Sequence, residues 1–250
     1  MKHLIGAALL LSSTTAAVAD EKIEVCGDAI DWPPYTYLTR DGVRGVDADI
    51  LDHILGKNDI SYKLSVTAWS RCLRDAAIGN TYQMAVSATH SAHRASQFIY
   101  TDWYYEVTPF YLYSKKTFPG GLNIKSIDDL KGYKVCGIHG YNYSDFGLEN
   151  IDQNSVEVSE ALNEVRLNRC DVFLSWKEIL LGLGLVTEND FHRYAVIAAP
   201  VPNMDRHKFY FLISRAYPQA QALKTLIDRE IQQLKESGKL QRIINKYLKR

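Results

Sequence analysis

Ser87-Ala88-Thr89-His90-Ser91-Ala92-His93-Arg94 follows directly on the apolar run Met84-Ala85-Val86. Three hydroxyls at alternating positions lead into an arginine, and Ser91 has the chemistry of a helix N-cap. The pattern predicts a strand that opens into a turn, with a helix starting near Ser91. Hydroxyls, backbone N–H groups and a guanidinium then face one space. That combination suits a carboxylate or phosphate, because a helix start presents unpaired donors and arginine a planar two-pronged one. A hydroxyl-rich turn ending in arginine also serves as an ordinary solvated loop, so the surrounding sequence has to decide.

On both sides of it, short apolar runs alternate with amphipathic segments. Residues 23–27, 62–66 and 84–88 read as strands and 70–77 as a short helix. Ile50, Leu51, Ile54 and Leu55 share one face of a helix that Asp47 would cap and Gly56 would end. An apolar, aromatic run over 107–113 leads out of this unit. A second unit repeats the logic. Ser126 and Asp129 make a capping-box pattern, Ser159 caps a helix to about 167, and 133–138, 171–175 and 209–214 read as strands. Leu223, Leu226, Ile227, Ile231 and Leu234, then Leu240, Ile243, Ile244 and Tyr247, lie at helical spacing as core-facing stripes. Such alternation predicts an α/β architecture of mixed, mostly parallel sheets flanked by helices.

Residues 1–19 have the pattern of a secretory signal peptide: Lys2 and His3, an apolar core from Leu4 to Leu11, and the small-residue site Ala17-Val18-Ala19. That core is far shorter than the roughly 20 residues that span a bilayer. Its removal takes one charge, Lys2, so the 29 basic and 29 acidic residues become 28 and 29, a formal charge of −1. No basic excess remains for nucleic acid or an anionic membrane, so neither is expected as a partner. His90 and His93 lack a third ligand for a metal site, and no P-loop, G-x-S-x-G elbow or H-E-x-x-H is present. No metal or cofactor is expected.

Trp32-Pro33-Pro34-Tyr35, Gly45-Val46-Asp47-Ala48-Asp49-Ile50 and Trp69-Ser70-Arg71-Cys72-Leu73 precede the Ser87–Arg94 stretch. Phe98-Ile99-Tyr100-Thr101-Asp102-Trp103-Tyr104, Asp128-Asp129-Leu130-Lys131-Gly132 and Glu236-Ser237-Gly238-Lys239-Leu240 follow it. In this order and spacing the chain resembles the family 3 extracellular solute-binding proteins, the periplasmic amino-acid-binding proteins of ABC transporters. The resemblance implies a type II periplasmic-binding-protein fold with two lobes and the ligand between them. It places residues 20–111 and 207–250 in lobe one and 112–206 in lobe two, with hinges near 111–114 and 201–205. It further implies a monomer that works with an inner-membrane ABC permease and is not an enzyme.

By position, the resemblance implies that Arg94, Thr89 and Ser87 bind a ligand carboxylate and that Trp32 and Trp69 sandwich its side chain. Either tryptophan would equally serve as core packing. Tyr141 and Asn142 fall in a glycine-led turn that supplies backbone N–H and a hydroxyl. Trp176 stands where amino-acid binders carry the aspartate for the α-ammonium, and an indole offers only a ring face or one N–H. Asp28 or Glu178 would then take that role, or the ligand lacks an ammonium. The even number of cysteines in an exported chain favours disulfides. Of three pairings, Cys26–Cys72 and Cys136–Cys170 each stay within one expected lobe; four buried thiols are the alternative. Other readings on this fold are a hydro-lyase, with Glu178 as its acid, and a ligand-sensing partner of a membrane receptor.

Overall fold

The computed structural model describes residues 22–29, 32–186 and 195–248; the expected signal peptide lies outside them. The chain begins with β1 (Ile23–Asp28), the hairpin β2 (Tyr37–Thr39) and β3 (Gly42–Arg44), then α1 (Val46–Ile54) and β4 (Tyr62–Thr67). It continues through α2 (Trp69–Ile78), β5 (Met84–Ala88), α3 (Ala92–Gln97) and β6 (Phe98–Val107). Next come β7 (Pro109–Ser114), β8 (Val135–Ile138), β9 (Ile151–Ser155), α4 (Val158–Arg166), β10 (Val172–Trp176), α5 (Lys177–Val186) and β11 (Val196–Pro200). It closes with β12 (His207–Ser214), α6 (Ala220–Glu236) and α7 (Lys239–Leu248).

Two five-stranded sheets result, in the orders β4-β1-β5-β12-β6 and β11-β7-β10-β8-β9. Both are mixed, but less parallel than the sequence pattern predicts. β1 is parallel to β4 and β5, while β12 is antiparallel to β5 and β6. In the second sheet β8 is parallel to β9 and β10, while β7 is antiparallel to β10 and β11. The antiparallel pairs belong to the strands that carry the chain between sheets: it leaves on β6 and returns on β12.

The chain changes sheet a few residues before 111, the expected edge of lobe one. Val107 is the last residue of β6 and Pro109 the first of β7, so the outward crossing is Thr108. Tyr111, expected at a hinge, is paired on both sides, to Leu174 and Ala199. The apolar alternation of 107–113 runs unbroken through the crossing, so hydropathy hides the change of sheet. The return crossing spans 201–206.

The C-terminal helices join the first sheet: α6 packs on β6 and β12, and α7 on α1, with a further contact to α5 of the second lobe. Asp47 does not cap α1. The cap is Gly45, at φ 126°, where an added Cβ would sit 2.1 Å from the Tyr35 carbonyl oxygen. Asp47 lies inside the first turn and is fully buried. Glu157, not Ser159, caps α4. Both within-lobe disulfides are present, Cys26–Cys72 tying β1 to α2 and Cys136–Cys170 tying β8 to the approach to β10.

Candidate functional site

At the C-terminal ends of β1 and β5 the two lobes meet around a cavity. It is lined by Asp28, Trp32, Trp69, Ser87, Thr89, Arg94, Tyr141, Asn142, Trp176 and Phe209. All eight residues singled out in the sequence for ligand contact are on that wall. The cavity is small, with about 30 Å³ open to the centre of a water molecule.

Arg94 is 7 % exposed. Ser91 caps its short helix by accepting from the Arg94 backbone N–H at 3.2 Å, which turns the arginine back under the strand end. Its Nη1 donates to the carbonyl and the hydroxyl of Thr89, at 3.1 and 3.2 Å, and its guanidinium carbon lies 5.5 Å from the centre of a Trp69 ring. Among the described residues no carboxylate is in ion-pair contact with it. Burial lowers its pKa, and the neighbouring Tyr100 and Asp145 pull the other way. The same burial raises Asp145, against His90 and Arg94.

Three cavity residues of the second lobe hydrogen-bond to the first. Tyr141 donates its hydroxyl to Asp28 at 2.8 Å, and Asn142 Nδ2 donates to Thr89 Oγ1 and the His90 carbonyl, at 3.0 and 2.9 Å. Trp176 is buried and donates its indole N–H to His207 Nδ1 at 3.0 Å. Its ring packs edge-on to Trp32 (centroids 5.5 Å) and stacks on Tyr143 (5.8 Å). The indole therefore offers the cavity an apolar face and no donor. His207 is buried and held neutral, its pKa lowered to about 4 by desolvation.

Glu178 does not face the cavity. It accepts from the Thr108 backbone N–H at 2.7 Å and the Thr108 hydroxyl at 3.0 Å, and Arg206 reaches it at 3.3 Å. It thus braces both crossing segments. α5 continues from β10, and the turn between them sends Trp176 inward but Glu178 toward the crossings. Asp28, at the end of β1, is the acidic side chain on the cavity wall.

Three contributors were not singled out for ligand contact. Phe209 lines the cavity from β12 and stacks on Tyr105 (4.9 Å), which stacks on Tyr35 (3.7 Å). Asp47 accepts from the hydroxyls of Thr36, Ser87 (2.5 Å) and Tyr104 (2.6 Å). Burial pushes its pKa up to about 6, against those three hydrogen bonds. His207 lies two residues before the strand read at 209–214, and the observed β12 begins with it. For Asp47 the G-x-D-x-D spacing was a signal, read as a cap; for Phe209 and His207 no local pattern marks them.

The model of the bacterial extracellular solute-binding proteins, family 3, matches residues 25–250. The probable amino-acid-binding protein YxeM of Bacillus subtilis (strain 168) is 22 % identical over 228 residues, covering 86 % of this chain and 79 % of its own. Among solved structures, a histidine kinase sensor domain with similarity to periplasmic binding proteins has a TM-score of 0.73 at 18 % identity, covering 91 % of this chain and 96 % of its own. The arginine-, lysine-, histidine-binding protein ArtJ of Geobacillus stearothermophilus has a TM-score of 0.70 at 16 % identity, covering 92 % and 96 %.

Proposed function

The chain belongs to the family 3 bacterial extracellular solute-binding proteins, and on that premise we propose that it captures a small carboxylate-bearing solute, an amino acid or a close relative, between its lobes and passes it to an inner-membrane ABC permease. Arg94 carries the reading. A buried guanidinium lacking an ion-pair partner is unfavourable by itself, and a ligand carboxylate would supply the missing charge through strong, directional bonds. Thr89 would share that carboxylate, Trp69 would flank it, and Trp32, Trp176 and Phe209 would meet the apolar part. Tyr141 and Asn142 would close over the ligand from the second lobe. Of the two acids considered for an ammonium, Asp28 is the one with access.

Two disulfides fit an oxidising compartment, in keeping with secretion to the periplasm, and the protein would act as a monomer. Binding without turnover is supported by the position of Glu178: the acid a hydro-lyase would need is engaged at the crossings, outside the cavity. A thermal-shift screen of L-amino acids, their deaminated relatives and the matching methyl esters tests the reading. Ligands that bind only the folded state raise the melting temperature by mass action. Free carboxylates should raise it and their esters should not, and mass spectrometry should recover the ligand unchanged. Equal shifts by ester and acid would overturn the carboxylate anchor.

A further inference from the structure

Trp176 ends β10 as one wall of the cavity, and its indole N–H is spent on His207 Nδ1 at 3.0 Å. A ring nitrogen that accepts carries no proton, so the neutral imidazole keeps its single hydrogen on Nε2. Desolvation holds the ring neutral at pH 7.5, its pKa being about 4. That Nε2 is buried and meets no hydrogen-bond partner among the described residues. Beside it stands only the Phe146 ring, T-shaped to the imidazole with centroids 4.6 Å apart. A buried, unpaired N–H is unfavourable, and an apolar residue would avoid it here. What the histidine adds over an apolar residue is an acceptor for Trp176.

The indole is also backed by groups that cannot retreat. Tyr143 stacks on it, 13° from parallel with centroids 5.8 Å apart, and Phe146 leans on it at 5.7 Å. The Tyr143 hydroxyl accepts from the Ile138 backbone N–H at 2.8 Å. Its ring lies so close to Gly137 of β8 that an added Cβ there would sit 2.5 Å from it. Trp32 and Phe209, which line the cavity with Trp176, meet it edge-on at 5.5 and 6.2 Å. A ring held by a hydrogen bond, a stacked neighbour and backbone behind that neighbour yields little when pushed, because packed interiors have low compressibility. The cavity offers about 30 Å³ to the centre of a water molecule. One water needs about 10–15 Å³ on that measure, so the room is for about two or three.

Resting on the carboxylate-binding reading above, we propose that Trp176 is a rigid stop, positioned by His207, that limits the solute to two- or three-carbon carboxylates of the size of glycine and alanine. With its one N–H spent outside the cavity, what Trp176 contributes to the wall is bulk. His207 touches no solute and acts through the indole. Once the carboxylate is held at Arg94, a longer side chain has to displace an aromatic wall that does not give.

Titration calorimetry at pH 7.5 with glycine, L-alanine, L-2-aminobutyrate and L-norvaline tests this, with acetate, propionate, butyrate and valerate covering solutes that lack the amino group. L-Phenylalanine serves as a bulky probe. In the wild type the two- and three-carbon members should bind at least about tenfold tighter than the five-carbon ones, since a surplus methylene in a fitted pocket costs about that much. Trp176→Ala should reverse the order, with norvaline or valerate gaining at least about tenfold. His207→Leu removes the acceptor and should flatten the length preference, whereas His207→Gln, which keeps one, should restore it. General loosening of the fold would weaken all lengths alike and leave the ratio unmoved. A wild-type ratio near one, or tighter binding of the long or bulky members, overturns the size stop without any variant and leaves the carboxylate anchor standing. A ratio unmoved by Trp176→Ala overturns the part given to Trp176, and one unmoved by His207→Leu the part given to His207. If no carboxylate in either series binds, the anchor itself fails and this inference falls with it.

Discussion

Gly182 in α5 of the second lobe lies against the backbone of Pro33 in the first. A Cβ added there would sit 2.3 Å from both the carbonyl carbon and the carbonyl oxygen of Pro33. Pro33 follows Trp32, so α5 seats on the turn that presents an aromatic wall of the cavity. On the same closed arrangement Tyr141 reaches Asp28 and Asn142 reaches Thr89. The approach of the lobes therefore depends on a side chain that is missing.

Gly182→Ala should hold the lobes apart without disturbing either one. Backbone cannot yield to a methyl group as a flexible side chain does, so the closed state would be lost while an open state accommodates the substitution. Ligand affinity should fall at least tenfold, about 1.4 kcal/mol. Small-angle scattering should show that saturating ligand no longer compacts the variant; compaction equal to wild type would refute the steric argument.

Arg94→Ala should nearly abolish binding, a loss of about 2–5 kcal/mol by calorimetry, because the ligand carboxylate would be buried without a partner. The ligand-free variant should melt no lower than wild type, since an unpaired buried cation contributes no ion pair to lose. A large drop in the ligand-free melting temperature would assign Arg94 a structural role instead.

Glu178→Gln should loosen the crossings and leave ligand preference alone. The carboxylate accepts two bonds from Thr108 and one from Arg206, which also bonds to the Glu106 side chain at 2.9 Å. An amide keeps one acceptor and points a donor at the other, costing about 1–3 kcal/mol in urea unfolding. The rank order of ligands should survive; a reordered series would place Glu178 in the site after all.

His207 makes stability sensitive to acid. Its folded-state pKa, about 4, lies below the ordinary histidine value, so the unfolded chain binds the extra proton first. Its contribution is complete above about pH 6.5 and declines as pH falls toward 4, by about 1.4 kcal/mol per unit within that window. Asp47 acts oppositely: raised to about 6, it favours the folded state as pH falls from 6 toward the ordinary carboxylate range. His207→Gln, which keeps an acceptor for Trp176, should therefore lose less stability than wild type between pH 7 and 4.5. Parallel melting curves would count against this.

The pieces of the fold legible in the sequence were those with a local pattern, the core stripes of α6 and α7 and the strand–turn–helix around Arg94; the cysteine pairs followed from the lobes that the resemblance implied. Thr108 was hidden because β6 and β7 are both apolar and alternate in phase, so only hydrogen-bond partners reveal where one sheet ends. Glu178 was misplaced by proximity in sequence, since two residues along a helix turn a side chain to the opposite face. Ser87 was legible as a hydroxyl beside the arginine turn, but its hydrogen bonds were not: Tyr105 and Asp47 reach it from distant segments and leave no trace in its neighbourhood.

The placement of β12 also decides the order in which the protein can be made. It inserts between β5 and β6, so the first sheet has a gap in its middle until residues 207–214 arrive. The second sheet, by contrast, is drawn entirely from residues 109–200 and is whole as soon as that stretch is available. A growing chain would therefore complete its later lobe first, and the lobe containing its own beginning last. A stop codon a few dozen residues early would spare one half of the molecule and cost the half that holds Arg94.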